Sequence, residues 1–366
     1  LQQSQEKIGI REYIAIITIM IATKVTDDTP ILFFDTLDTA GWIAPFFNAL
    51  IVVIPLIFLM KVVTRYNKGL IEIIDGLFGK YLGFLLLFII WFISISALII
   101  DTAIYTDIIG TMYFIRTPTI IIYGLIMAVC AYGAKRGFAQ IGSAAWVVYP
   151  YLQVSLLFVF ILTLSDSNLS FIHPIFGPGP IEIVKESTFT LSIYADFLYL
   201  FLIVPFIKDI HVFKKGTWAG FIIVIINVGI AFLLFLLLFD YQSLKMVNYP
   251  FHEVIRYIDT GFLTNMESFF LPFWAIASFI RFTVYIWINA LLFGHLFKIK
   301  QFEYVIPSIA TLIVFIGILP ESPTYAIFEL RKTLFQFTTP IFFFLPILIW
   351  IVAKLKGDFS NDDNNN

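Results

Sequence analysis

Four ionisable residues stand inside otherwise apolar runs of this chain: Lys24, Asp101, Asp196 and Arg281, two of each sign. In a segment that crosses lipid such residues are costly to insert, and they mark substrate or ion sites. Their balance predicts that they compensate one another across helices while bordering a small-molecule pocket. No nucleophile–base pair is legible, so the chain is not read as an enzyme. His173, His211, His252 and His295 are scattered without ligand spacing, and Cys130 is the only cysteine. That pattern predicts no metal site, no internal disulfide and no cofactor.

Charges at mid-depth need elements that carry them there. Hydrophobic residues are 60% of the chain and charged residues 13%, against roughly half and a quarter in soluble domains. The 42 phenylalanines exceed what one core could hide. Runs of about 20 apolar residues recur from end to end, the length needed to cross about 30 Å of hydrocarbon as a helix. They are continuous rather than alternating, which excludes a β-barrel. The expectation is an all-α integral membrane protein. A net charge of −2 offers nothing to a nucleic acid. The first run is long and lacks a small-residue cleavage site, so no cleavable signal is expected.

Ten spans are predicted, over residues 8–34, 42–60, 81–108, 117–132, 141–164, 188–206, 217–239, 268–296, 304–319 and 339–353. With the N-terminus inside, the inner segments carry 15 Lys and Arg, and the outer ones 6: Arg116, Lys185, Lys245, Arg256, Arg331 and Lys332. This bias places both termini in the cytoplasm. The spans divide into two halves, about 8–164 and 188–354, which must insert with opposite orientation, the arithmetic of an inverted repeat. One transmembrane domain is expected over 1–357, followed by a disordered polar tail over 358–366. In "PFHEVIRYID", Phe251, Val254, Ile255 and Ile258 share one helical face, with His252, Glu253, Arg256 and Asp259 opposite. It reads as a helix lying on the outer membrane surface. "NKGLIEIIDGLFGK" is its inner counterpart and leads into the third span.

The stretch "ATKVTDDTP", residues 22–30, has two readings. Either the first span ends near Val25 and its charges lie outside, or the helix breaks around 23–26 and restarts. Thr and Asp are N-cap residues and Pro favours a first helical turn, which supports a restart. In "TFTLSIYADFLYLFLIVPF", Asp196 interrupts the sixth span in the same way; the alternative is an unbroken helix with Asp196 tied to Arg281. Paired discontinuous helices are the best sequence pointer to a transporter-like site. Helical spacing puts Trp274, Ser278, Arg281 and Tyr285 on one face, and Ser94, Ala97, Asp101 and Tyr105 on another. Asp196 is expected to pair with Arg281, with Asp101 as the competing partner.

"IIDGLFGKYLGFLLLFII", "FIRTPTIIIYGLIMAVCAYGAKRGFAQIG", "YADFLYLFLIVPFI" and "YPFHEVIRYIDTGFLTNMESFFLPFWAIASFIR" together resemble the B subunits of spore-germination nutrient (germinant) receptors. That endospore germination permease family is a branch of the amino acid–polyamine–organocation transporter superfamily. The resemblance runs over about residues 8–356. It implies five-plus-five inverted repeats with spans one and six unwound. It also implies a pocket lined by Ala22, Thr23, Lys24 and Val25 of span one, Asp101 and Tyr105 of span three, Ser192, Tyr194, Ala195, Asp196 and Phe197 of span six, and Trp274, Ser278 and Arg281 of span eight. The implied role is binding of a small nutrient, an amino acid or similar molecule, within a complex with an A subunit and a C-subunit lipoprotein in the spore inner membrane. The alternative is a proton- or ion-coupled amino acid or polyamine transporter. Relatives place glycines at the two breaks, where this chain reads "ATKVT" and "SIYADF". In related transporters a sodium ion supports the first break; the Lys24 ammonium could serve instead.

Overall fold

The computed structural model describes residues 6–258, 266–320 and 323–357, without the side chains of 266, 269 and 323–328. The polar tail and Asp259 lie outside the described residues. Fourteen α-helices are found among them: α1 (Ile10–Ala22), α2 (Thr29–Leu37), α3 (Ala44–Tyr66), α4 (Leu70–Ile108), α5 (Thr119–Lys135), α6 (Phe138–Leu164), α7 (Pro180–Phe189), α8 (Asp196–Leu200), α9 (Ile210–Leu238), α10 (Tyr241–Leu244), α11 (Pro250–Tyr257), α12 (Met266–Leu296), α13 (Ile306–Gly317) and α14 (Pro323–Leu355). The described residues contain no strand, only a single parallel bridge between Ile8 and Ile207.

Among the described residues six helical stretches are long and apolar enough to cross a membrane: Ala44–Tyr66, Leu70–Tyr113, Phe138–Leu164, Ile210–Leu238, Phe270–Leu296 and Glu329–Leu355. Three shorter apolar stretches, Thr119–Lys135, Leu191–Leu200 and Phe302–Gly317, fall where the fourth, sixth and ninth spans were expected. The first apolar run is divided between α1 and α2. The inner amphipathic segment is continuous with the third span as α4, bent at Gly79, whose φ of 71° suits a residue without Cβ.

Helix α1 packs along α9, and also against α6 and α12. The close approach depends on small residues one turn apart on α9, as at membrane helix contacts generally. A Cβ at Gly220 would lie 2.7 Å from Ile17, and one at Gly216 2.5 Å from Tyr13. The Tyr13 hydroxyl meets Thr217 at 3.0 Å in the same seam. Helix α14 packs on α3 and α4, and α12 on α4, α5 and α6. Backbone bonds pin the two interrupted runs together at one end, from Ile8 N to Phe206 O (3.0 Å) and from Lys208 N to Ile8 O (3.1 Å).

Helix α11 departs from the expected surface helix. Phe251, Val254, Ile255 and Ile258 are buried as the periodicity predicts, but so is His252 on the opposite face. Arg256 and Tyr257 stay exposed, so the polar face is covered only at His252. His252 rests edge-on against Trp274 of α12, with centroids 4.7 Å apart.

Candidate ligand site

The first apolar run stops being α-helical at Ala22. Thr23 to Thr26 form a 3-10 turn, and Asp27 is extended with φ −101° and ψ −157°. The Thr23 and Thr26 hydroxyls bond back to Ile19 O (2.7 Å) and Thr23 O (2.6 Å), competing with the helical ladder. Asp27 Oδ1 then accepts the Thr29 amide at 2.8 Å, and Pro30 sits in the first turn of α2, where its missing N–H costs nothing. A continuous helix would have driven the Pro30 ring against the Thr26 carbonyl.

The second interruption follows α7. A 3-10 turn runs from Leu191 to Tyr194, and Asp196 is the first residue of the short helix α8. Helix α14 supplies partners for the backbone groups released there: Thr339 Oγ1 donates to Phe189 O (2.9 Å) and accepts the Ser192 amide (3.3 Å). Irregular backbone at this depth is tolerated only with such partners.

Lys24 joins the two interruptions. Its Nζ donates to Ile193 O at 2.8 Å and faces Asp196 Oδ2 at 2.7 Å, with both side chains almost fully buried. The expected Asp196–Arg281 pair is therefore not formed. Asp196 takes Lys24 and the Tyr285 hydroxyl as partners, and Arg281 takes Asp101 at 2.5 Å. The reason is axial: Arg281 and Tyr285 stand one turn apart on the same face of α12, and at their two heights Arg281 meets Asp101 of α4 while Tyr285 meets Asp196 of α8.

Arg281 also lies 3.6 Å from Asp27 and donates to Tyr105 Oη at 3.2 Å. A second guanidinium, missed in the sequence reading, enters from α14. Arg331 reaches Asp101 Oδ1 (2.8 Å), Asp28 Oδ1 (3.0 Å) and Asp27 Oδ2 (3.4 Å), and is 2% exposed. The charge count had placed it in an outer loop; removing it leaves five outer cations against the inner 15. The polar neighbours "RKTLFQFTT" disguised it as loop, although helical α14 exposes Lys332 and buries Arg331.

A cavity of about 30 Å³ lies among Lys24, Asp101, Asp196, Arg331, Tyr199 and Tyr285, closed by Ala97, Ser192, Ala195, Leu334, Phe335 and Thr338. It is large enough for a water or two. Thus Lys24, Asp101, Ser192, Ala195 and Asp196 of the expected set meet at one place. Ala22, Thr23 and Trp274 instead line a separate, mainly apolar cavity of about 80 Å³ between α1, α6, α9 and α12. Val25, Tyr105, Tyr194, Phe197, Ser278 and Arg281 line neither of these cavities. Tyr194 donates to Pro45 O (2.9 Å), Phe197 packs on Phe221, and Ser278 bonds Trp274 O (2.7 Å) within its own helix. Tyr105 bonds Thr23 O at 2.9 Å and stacks on Trp274 with centroids 5.2 Å apart, so it braces the first break.

The arrangement presents opposite charges on the walls of one small cavity, a geometry suited to pairing with a small charged molecule. Among the described residues no group of three or more His, Cys, Asp or Glu is placed to hold a metal ion. The chain's relatives carry one common description. It is 22% identical to spore germination protein B2 of Bacillus subtilis (strain 168), over 67% of each chain. It is 21% identical to spore germination protein YndE of the same organism, over 94% of this chain and 95% of the relative, and 24% identical to spore germination protein GerQB of Bacillus cereus, over 76% of each. The spore permease family model, described as spore germination protein, matches residues 10–325, and the chain belongs to that family.

Proposed function

We propose that this chain is the membrane subunit of a germinant receptor, and that a small nutrient of amino-acid type binds where the two interrupted runs meet. The observation that carries the reading is the Lys24–Asp196 pair beside the 30 Å³ cavity. A carboxylate and an ammonium on one ligand could each replace one partner of that pair. Because the cavity is smaller than an amino acid, binding would push α8 and the 191–194 turn away from the Thr23–Thr26 turn. That movement is the signal passed to an A subunit and a C-subunit lipoprotein. In this reading the chain is one ten-span domain, with inverted repeats over about 8–164 and 188–354 and both termini cytoplasmic, in the spore inner membrane. The Lys24 ammonium already supplies the cation at the first break, so binding proceeds without sodium.

The test is a screen of free amino acids and sugars for thermal stabilisation of the purified protein, since a ligand that binds the folded state raises its stability. An amino acid should stabilise the protein in sodium-free buffer, and Asp196→Asn should abolish the effect. Stabilisation by no member of the panel, or saturable uptake of the bound compound into proteoliposomes, would overturn the receptor reading.

A further inference from the structure

The charges at the first break do not balance. Lys24 and Asp196 cancel each other as a close pair. What remains is Arg281 and Arg331 against Asp27, Asp28 and Asp101, all but inaccessible to solvent. Two guanidinium groups face three carboxylates, which leaves the buried cluster one positive charge short. An unneutralised charge at such a place is expensive.

Asp28 is the member whose surroundings differ. Asp27 Oδ1 accepts the Thr29 amide and its Oδ2 the Arg331 guanidinium, and Asp101 is clasped by both arginines. Asp28 is fully buried, yet neither of its carboxylate oxygens accepts a hydrogen bond among the described residues. Arg331 Nε approaches Oδ1 at 3.0 Å without hydrogen-bond alignment, and among the described residues Oδ2 faces no cation. Asp28 also stands at the N-cap of α2, where an ionised carboxylate normally accepts a backbone N–H. Its side chain makes no such bond.

We propose that Asp28 holds a bound proton in the folded protein, and that this proton is the positive charge the cluster lacks. A metal ion fits poorly, since it needs several oxygen ligands in one shell and two guanidinium groups already occupy the approach. A proton needs only one oxygen. The charged and titratable groups around Asp28 are Asp27 on its own segment, Asp101 of α4, Arg281 of α12, Arg331 of α14 and Tyr249 ahead of α11. With Asp28 neutral, Arg331 divides itself between Asp27 and Asp101. Loss of the proton adds a third claimant and draws α14 toward the start of α2. Loss of the proton would thereby act on the break and, through Arg331, on one wall of the 30 Å³ cavity, although Asp28 itself does not line it.

The experiment is infrared spectroscopy on the purified full-length protein, comparing wild type, Asp28→Asn and, as a control at an exposed carboxylate, Asp166→Asn. Wild type and the control should show the carbonyl stretch of a protonated carboxylic acid at neutral pH, and Asp28→Asn should lose it. Asn has the shape and neutrality of the protonated acid but needs no proton, so Asp28→Asn should fold, melt at or above the wild-type temperature at neutral pH, and lose part of the decline in melting temperature as pH rises above the ordinary carboxyl range of about 4. The sign follows from linkage: a proton held only by the folded state makes stability fall as pH rises. A band that survives Asp28→Asn, a variant that fails to fold, or an unchanged decline with rising pH would each overturn the proposal. Because no nutrient enters the measurement, its outcome is separate from that of the ligand screen.

Discussion

The Thr23–Thr26 turn is held from two sides by different physics. On one side lie ions: Lys24 with Asp196, and the arginines shared among Asp27, Asp28 and Asp101. On the other, toward the C-terminal end of α4, stands a neutral aromatic column. Tyr105 stacks on Trp274, Tyr113 stacks on the same indole with centroids 6.3 Å apart, and His252 meets it edge-on. Trp274 Nε1 donates to Thr26 Oγ1 at 2.9 Å, which ties the column to the turn. Removing one ion strands its partner in a dry interior, whereas removing one ring costs contacts and a single hydrogen bond. The ionic side should therefore fail steeply and the aromatic side gradually.

The largest expected effect is on the one-to-one pair. Lys24→Ala or Asp196→Asn leaves an uncompensated buried charge or its unpaired partner, and should cost about 3–5 kcal/mol. Combining Lys24→Ala with Asp196→Ala should recover part of the loss in a double-mutant cycle on melting temperature. The same cycle on Asp196 and Arg281 should be near additive. Strong coupling there, with none between Lys24 and Asp196, would reverse the assignment of partners.

Redundancy should soften the next loss. Asp101→Asn removes a carboxylate from a cluster where Arg281 and Arg331 each retain Asp27 within 3.6 Å. The expected cost is about 1–3 kcal/mol, that of a charged hydrogen bond rather than of a stranded ion. A cost equal to that of Lys24→Ala would erase the distinction between pair and cluster.

What could be read from the sequence follows the same division. Lys24, Asp101, Asp196 and Arg281 were legible because each interrupts an apolar run, and the first break was legible because Thr, Asp and Pro carry local backbone chemistry. Partner choice was not. Whether Asp196 meets Arg281 or Lys24 depends on the height of α8 against α12 and the 23–26 turn, and no spacing within one helix reports that. Arg331 was hidden because its neighbours are polar, and only the helical phase of α14 separates it from exposed Lys332. His252 was misplaced for the opposite reason. Amphipathic spacing assumes that the whole polar face is solvated, and on α11 that face is covered at His252 by Trp274 and Tyr113.

On the aromatic side, Trp274→Phe keeps most of the stacking and deletes the bond to Thr26. It should cost about 1 kcal/mol, the net worth of one intramolecular hydrogen bond, plus any penalty for an unsatisfied Thr26 hydroxyl. That hydroxyl also bonds Thr23 O and sits 3.1 Å from Tyr105 Oη, so the penalty should be small. A loss above that of Asp101→Asn, read as a melting-temperature shift, would show that the column rather than the cluster holds the turn.

The smallest effect at neutral pH, and the most diagnostic on acidification, belongs to His252. Burial pushes its imidazole down from 6.5 to about 3, with the Thr26 backbone offsetting part of the shift and the Arg256 cation adding to it. Its Nδ1 meets the Tyr113 hydroxyl at 2.9 Å, so the neutral ring is already used. Between pH 6.5 and about 3 the unfolded chain binds a proton that the folded protein refuses. The stabilising contribution is therefore complete above pH 6.5 and is lost as pH falls toward 3, by up to about 1.4 kcal/mol per pH unit. His252→Phe should leave the melting temperature nearly unchanged at pH 7.5, where no proton is at stake, and flatten its decline between pH 6 and 4. An acid decline of the same slope in wild type and His252→Phe would place the acid sensitivity among the carboxylates of the ionic side. The aromatic column would then play no part in it.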